Sequence, residues 1–160
     1  MKKLILFVLT ALAVLTVGAA GAYFTGQATV ADNVIKAGTV AVSTEPTSAA
    51  ISIDALAPGA TTSKTLTVVN DGNLAESIVV TAAKKAGTTA FYEALTVRVT
   101  ADGVALYDGP MTALKTAPLT ITPGARAQLQ FAVGLPAEAG NDLAGTYAKL
   151  TLYVDAEQVH

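Results

Sequence analysis

The chain has 160 residues, with 10 Lys and Arg against 12 Asp and Glu, a formal net charge of −2, and no cysteine. This length suits one domain with a core of its own. The acidic balance argues against a nucleic-acid partner, and the lack of cysteine excludes disulfide bonds as supports of the fold.

The first 22 residues have the order of a secretory signal peptide. Two lysines precede an apolar run over 4–17, and small residues follow it up to Ala22. Because Ala20 and Ala22 fit the small-x-small cleavage rule, we expect a signal peptidase to cut between Ala22 and Tyr23. The exported protein then has eight basic residues against twelve acidic ones, a net charge of −4.

The alternative to cleavage is an uncleaved anchor. Residues 4–24 carry no charge and are just long enough to cross a bilayer. Small residues crowd the end of this stretch, where an anchor would keep Leu and Ile, so cleavage is favoured. We therefore expect a secreted protein that meets the membrane only through its uncleaved signal.

A short alternating segment follows the expected cut without a linker. Phe24, Gly26, Ala28 and Val30 fall on one face of an extended strand, and polar residues fall on the other. A strand of this kind, with no partner hairpin, suits addition to an exposed sheet edge. Two interpretations remain open, since the edge belongs either to another copy or to the segment's own domain.

The rest of the chain is dominated by a period of two, which is typical of strands with one buried face. Strands are predicted over 38–43, 50–54, 63–70, 77–83, 95–100, 118–122, 128–133 and 147–154. Turns are predicted at Pro58-Gly59, Asp71-Gly72, Asp102-Gly103, Asp108-Gly109 and Pro123-Gly124. A helical turn is expected only near 91–95.

The sequence therefore predicts an all-β fold, an antiparallel β-sandwich or jelly roll of about eight to ten strands. Its predicted organisation is a signal peptide over 1–22, a donor-strand segment over 23–37 and the jelly-roll domain over 38–160.

Residues suited to catalysis are scarce. The single histidine is His160, and no zinc motif, Ser-His pair, Cys-His pair or phosphate-binding loop is present. The stretch 70–73 has oxygen-bearing side chains but lacks the distal acidic ligand of a calcium loop, so a plain turn is favoured there. We expect no catalytic residue, no metal site and no cofactor.

Several short motifs in order resemble the TasA/camelysin family of bacterial matrix-fibre proteins. They are Ala22-Tyr23-Phe24, Ala37-Gly38-Thr39-Val40, Leu56-x-Pro58-Gly59, Val69 to Ala75, Leu135-Pro136 with Ala139-Gly140-Asn141, and Ala156-Glu157-Gln158. The resemblance implies export through a dedicated signal peptidase and a structural relation to archaeal bundling pilins. It also implies a jelly-roll subunit that polymerises head to tail, with the mature N-terminus of one copy filling a groove in the next.

On this resemblance, Phe24, Gly26, Ala28 and Val30 are the expected polymerisation residues. The expected function is a structural subunit of an extracellular filament of the biofilm-matrix or pilus type, with other copies of itself as partner. Two alternatives remain, a monomeric surface-binding module and a camelysin-like secreted metalloprotease.

Overall fold

The computed structural model describes residues 25–29, 33–34, 36–37, 40–47, 51–54, 56–143 and 145–159. The predicted signal peptide and its cleavage residues Ala20, Ala22 and Tyr23 lie outside these residues. So do Phe24, Val30 and His160.

The described residues form twelve strands, one short α-helix and two 3-10 turns. The strands are β1 (Thr25–Thr29), β2 (Asn33–Val34), β3 (Lys36–Ala37), β4 (Val40–Glu45), β5 (Ile51–Asp54), β6 (Thr61–Asn70), β7 (Glu76–Gly87), β8 (Thr96–Ala101), β9 (Val104–Pro110), β10 (Leu119–Ile121), β11 (Arg126–Gly134) and β12 (Tyr147–Gln158). The helix α1 is Thr89–Ala94, and the 3-10 turns are Met111–Ala113 and Asn141–Leu143.

The strands make two antiparallel sheets. One has the order β10-β7-β12-β1-β2, with β5 also paired to β12, and the other has the order β3-β4-β6-β11-β8-β9. The predicted all-β antiparallel sandwich is confirmed. The long strand β12 lies inside the first sheet, with β7 along one edge and both β5 and β1 along the other.

The core lies between the sheets and follows the predicted alternation. Leu129, Phe131 and Val133 of β11 are fully buried, while Gln128 and Gln130 between them are exposed. The inner face of β12 presents Leu150, Leu152 and Val154 to the same core. Burial of these alternate apolar side chains fixes the register of each strand, because a slip by one residue would expose the whole set.

The region 88–110 contains the expected helical turn and one strand that was not predicted. The expected helical turn is α1, whose Phe91 and Tyr92 are buried. The predicted turn at Asp108-Gly109 is wrong, because both residues lie within β9, an edge strand that the sequence reading did not include. Gly109 is used for packing instead, since a Cβ there would lie 3.0 Å from the hydroxyl of Tyr107.

Among the residues that the structure describes, no helix combines the length and the apolar character that a membrane span requires.

Candidate functional site

The N-terminal strand β1 lies on the edge of β12. The two run antiparallel, with Thr25 opposite Glu157, Gly26 opposite Ala156 and Ala28 opposite Val154. Val154 and Ala156 are buried in the core. Because opposite residues of an antiparallel pair share a face, positions 26 and 28 belong to the core side of the sheet.

The outer edge of β12 is divided between two strands. β5 pairs with 147–150, and β1 pairs with 153–157. Only two residues of β12 separate these paired stretches. If β1 were removed, the C-terminal half of β12 would present a free row of main-chain donors and acceptors beside a strand that stays in place. Such an edge accepts an added strand.

The structure describes two of the four residues that the sequence predicts for polymerisation. Gly26 and Ala28 lie together in β1, on the predicted face. Phe24 and Val30 flank that strand but fall outside the described residues. In the single chain the acceptor of β1 is its own β12, which is one of the two pairings that the sequence left open. Whether another copy supplies the strand in an assembly stays a prediction.

A short arm connects β1 to the sandwich. We call β1, β2 and β3 together (25–37) the N-terminal arm. Within it, β2 folds back on β1, so the prediction that this segment has no partner hairpin is wrong. The strand β3 pairs with the start of β4, where Lys36 lies opposite Ala41. The arm therefore contacts both sheets, through β1 on one side and β3 on the other.

The point where the arm joins the sandwich is held by the chain segment that precedes and begins β7. The N–H of Ala41 donates to Oε1 of Glu76 at 2.9 Å. The carbonyl of Ala41 accepts from the N–H of Asp71 at 2.7 Å. Both main-chain groups of Ala41 are thus bonded to this one segment.

Glu76 is a buried acid that the sequence reading missed. Its exposed fraction is 0 %, and burial, opposed by the bond from Ala41 and reinforced by the charge of Asp71, raises its pKa. The signal was the alternation itself, since Glu76 shares a face with the buried Ile78 and Val80. The predicted strand began one residue later, at 77, and so left this carboxylate outside the core-facing row.

The stretch 70–73 forms a turn fastened by one side chain. The amide nitrogen of Asn70 donates to the carbonyls of Leu74, at 2.8 Å, and Ile121, at 2.9 Å. Its oxygen accepts from the N–H of Gly72 at 2.9 Å. These bonds match the favoured turn, with the Asn70 oxygen occupied by the main chain rather than turned outward as a ligand.

Comparison with known protein families identifies the family of this chain. A sequence model of the camelysin metallo-endopeptidase family matches residues 1–90, more than half of the chain. The chain belongs to the camelysin metallo-endopeptidase family. The resemblance to the TasA/camelysin family is therefore confirmed, although the motifs quoted from 135 onward lie beyond the matched residues. No curated protein matches the camelysin-family chain.

A solved crystal structure of FLHE is similar to this camelysin-family chain at 12 % sequence identity, covering 86 % of this chain and 98 % of that one. The TM-score is 0.41.

The family description names a metal-dependent peptidase, which requires a set of metal ligands. Within the described part of the chain, no three His, Cys, Asp or Glu residues lie close enough together to hold a metal ion. The whole chain has one histidine, His160, and no cysteine. These residues do not fit the three-ligand site of a catalytic zinc.

Proposed function

We propose that the chain is a secreted structural subunit of an extracellular filament, of the biofilm-matrix or pilus type, that polymerises by exchange of β1. In this mechanism the arm of one copy leaves its own β12, and its β1 pairs with β12 of the next copy. Because the contact is head to tail, it does not close on itself and propagates along a filament.

The observation that carries the proposal is the position of β1. It pairs along one side of β12 at the end of a short arm, and its register sets small residues opposite the buried Val154 and Ala156. The same main-chain bonds form equally well with an identical β12 from another copy.

Cleavage of the signal has a physical role in this mechanism. While residues 1–22 remain attached, the segment that follows them is tethered at the membrane and has no free end to thread into a neighbour. Removal of the signal by a signal peptidase would release that end. Assembly would then follow export, with other copies of the chain as partners and no cofactor.

The absence of cysteine makes a direct test possible. One chain carries Thr25→Cys and a second, with a different tag, carries Glu157→Cys. The two positions are opposite each other in the register, and residue 157 is exposed. Opposite residues of an antiparallel pair are close enough for a disulfide, so a mixed disulfide forms if β1 of one chain pairs with β12 of the other.

The control replaces the second variant by Glu138→Cys, an exposed position outside the register. We expect filaments by electron microscopy, a mixed disulfide between chains substituted at 25 and 157, and none with the control. Electron microscopy of the chain beginning at Tyr23, compared with one beginning at Lys36, provides a second test. Monomers in every sample would refute the filament function.

A monomeric surface-binding module is the second candidate, and the pairing of β1 with its own β12 favours it. For this candidate, a chain carrying both Thr25→Cys and Glu157→Cys forms an internal disulfide at all protein concentrations. Mixtures of the single variants then give no mixed disulfide.

Metal-dependent peptidase activity is the third candidate, and the family description favours it. Cleavage of casein that stops when EDTA is added would support this activity. No cleavage at high enzyme concentration, with zinc supplied, would count against it.

A further inference from the structure

Glu76 has one carboxylate oxygen without a partner. Oε1 accepts the N–H of Ala41, whereas Oε2 is buried and has no hydrogen-bond partner. Buried polar atoms are nearly always paired, and an exception marks either stored strain or a function. By contrast, the side chain of Asn70 uses both its nitrogen and its oxygen in hydrogen bonds.

The position of this acid connects it to the N-terminal arm. In register, Glu76 lies opposite Ile121 of β10 and Gln158 of β12, and its side chain reaches Ala41 of β4. Gln158 directly follows Glu157, the residue opposite the first residue of β1. The carboxyl group therefore lies where the end of β12 and the start of β4 meet, next to both attachments of the arm.

The surroundings of Glu76 favour its neutral form. Its register neighbours Ile121 and Gln158 are uncharged. The N–H of Ala41 acts the other way. So does the positive charge of Lys36, which register places opposite Ala41 on β3. Burial is the largest cause of the raised pKa, and the negative charge of Asp71 adds to it. An ionised Glu76 would have one donor, no partner for Oε2 and a like charge nearby.

We propose that Glu76 is a protonation-dependent latch on the N-terminal arm. In its neutral form it stays buried against Ala41 and keeps β1 on its own β12. Once ionised, it leaves the core for water, because Oε2 has no donor there; Ala41 then loses its acceptor and the arm is free to leave. The inference rests on the proposed exchange of β1 and supplies its regulation. Closed monomers would persist in acid, and arm exchange would begin as the pH rises.

The sign of the pH dependence follows from linkage. Because the folded-state pKa of Glu76 is raised above its ordinary value of 4.5, the folded chain binds this proton more tightly than the unfolded chain does. The stabilisation is complete below about pH 4.5 and is lost as the pH rises through the folded-state pKa. The latch is therefore weakest above the folded-state pKa of Glu76.

The test is amide hydrogen exchange by NMR on the secreted chain at pH 4 and pH 8, dilute enough to prevent filaments. Rates are divided by the intrinsic rates at each pH to give protection factors. We expect protection of the Ala41 amide and of β1 to fall severalfold at pH 8 relative to pH 4, because ionisation of Glu76 removes stabilisation that the neutral form provides. Amides of β11 keep their protection.

Glu76→Gln keeps the size of the side chain and removes the titration. We expect it to reduce the pH effect on Ala41 and β1 to less than about twofold. Glu93→Gln, which changes an exposed acid, is the matched control and should leave the effect intact. Asp71→Asn removes the nearby negative charge, so it should move the midpoint of the loss to lower pH, and only when Glu76 is present.

Three results would overturn the latch. One is equal protection of β1 at both pH values in the native chain, and another is an unchanged pH effect in Glu76→Gln. The third is an equal loss across all strands, which would mean that Glu76 acts on the whole domain. Failure of the filament function has a different signature, because the arm would still respond to pH through Glu76 while the cysteine mixtures gave no disulfide between chains.

Discussion

Replacement of Asn70 by Ala should destabilise the domain strongly, although the residue lies at the very end of β6, beside a turn. Its side chain makes three hydrogen bonds, to Gly72, Leu74 and Ile121, and its exposed fraction is 0 %. Its main chain also bonds Gly124 and Ala125 of the neighbouring corner. One residue thus joins the turn after β6 to the corner between β10 and β11.

The magnitude follows from those three bonds. Each bond contributes about 1 kcal/mol net, and the donors and acceptors left unpaired in a buried site add to the loss, so we expect about 3 kcal/mol. Asn73→Ala is the matched control, because Asn73 has the same side chain in the same turn but is exposed. It should change the free energy of unfolding by less than about 0.5 kcal/mol.

The assay is urea unfolding of both variants, followed by circular dichroism. Equal stabilities of Asn70→Ala and Asn73→Ala would refute the view that the Asn70 side chain fastens the turn. A second measurement adds calcium to the native chain. Stabilisation by calcium that Asn70→Ala abolishes would show that the oxygen serves as a ligand rather than as the acceptor for Gly72.

Four further substitutions test packing, backbone conformation and a surface ion pair, each by urea unfolding. Phe131→Ala removes a fully buried ring and should cost about 3–5 kcal/mol; a loss below 1 kcal/mol would contradict its place in the core. Gly87→Ala should lower the free energy of unfolding by about 3 kcal/mol or more, because its φ is +97° and a Cβ would overlap the carbonyl of Tyr147. Gly103→Ala is the control: its φ is +80° but the space around it is open, so the loss should be about 1 kcal/mol. Arg126→Ala breaks an ion pair whose two side chains are more than half exposed, so a loss above about 1 kcal/mol would be unexpected.

The sequence predicted the sandwich well where one face of a strand is buried. In β11 and β12 the alternation is regular because the core selects apolar residues at every second position. β9 escaped prediction for the opposite reason. It is an edge strand with mostly exposed or half-buried residues, so no buried face imposes a period, and Asp108-Gly109 suggested a turn.

The candidate site was predictable in part. The alternation of 24–30 predicted an extended strand there, and β1 spans Thr25–Thr29. Its acceptor was not predictable, because the bonds between β1 and β12 are the same whether one chain or two supply them. Glu76 was not recognised because burial of an acid depends on which strands surround it, and local sequence carries no record of Ala41 or Asp71 lying beside it.

Because the β1–β12 bonds are the same within one chain and between two, something other than these bonds must drive the proposed exchange. A β1 that moves from its own β12 to that of a neighbour loses and regains the same pairs, so the ladder itself contributes almost nothing to the net free energy. The short arm gives the strand a high effective concentration at its own edge, which favours the closed monomer.

Assembly therefore needs either a further contact between copies or strain in the closed form that exchange relieves. The unpaired oxygen of Glu76, beside Ala41 in β4 where the arm joins the sandwich, is a source of such strain. If it is the driving term, Glu76→Gln chains should remain closed at neutral pH, and the Thr25→Cys and Glu157→Cys mixture should lose its disulfide between chains when both carry that substitution.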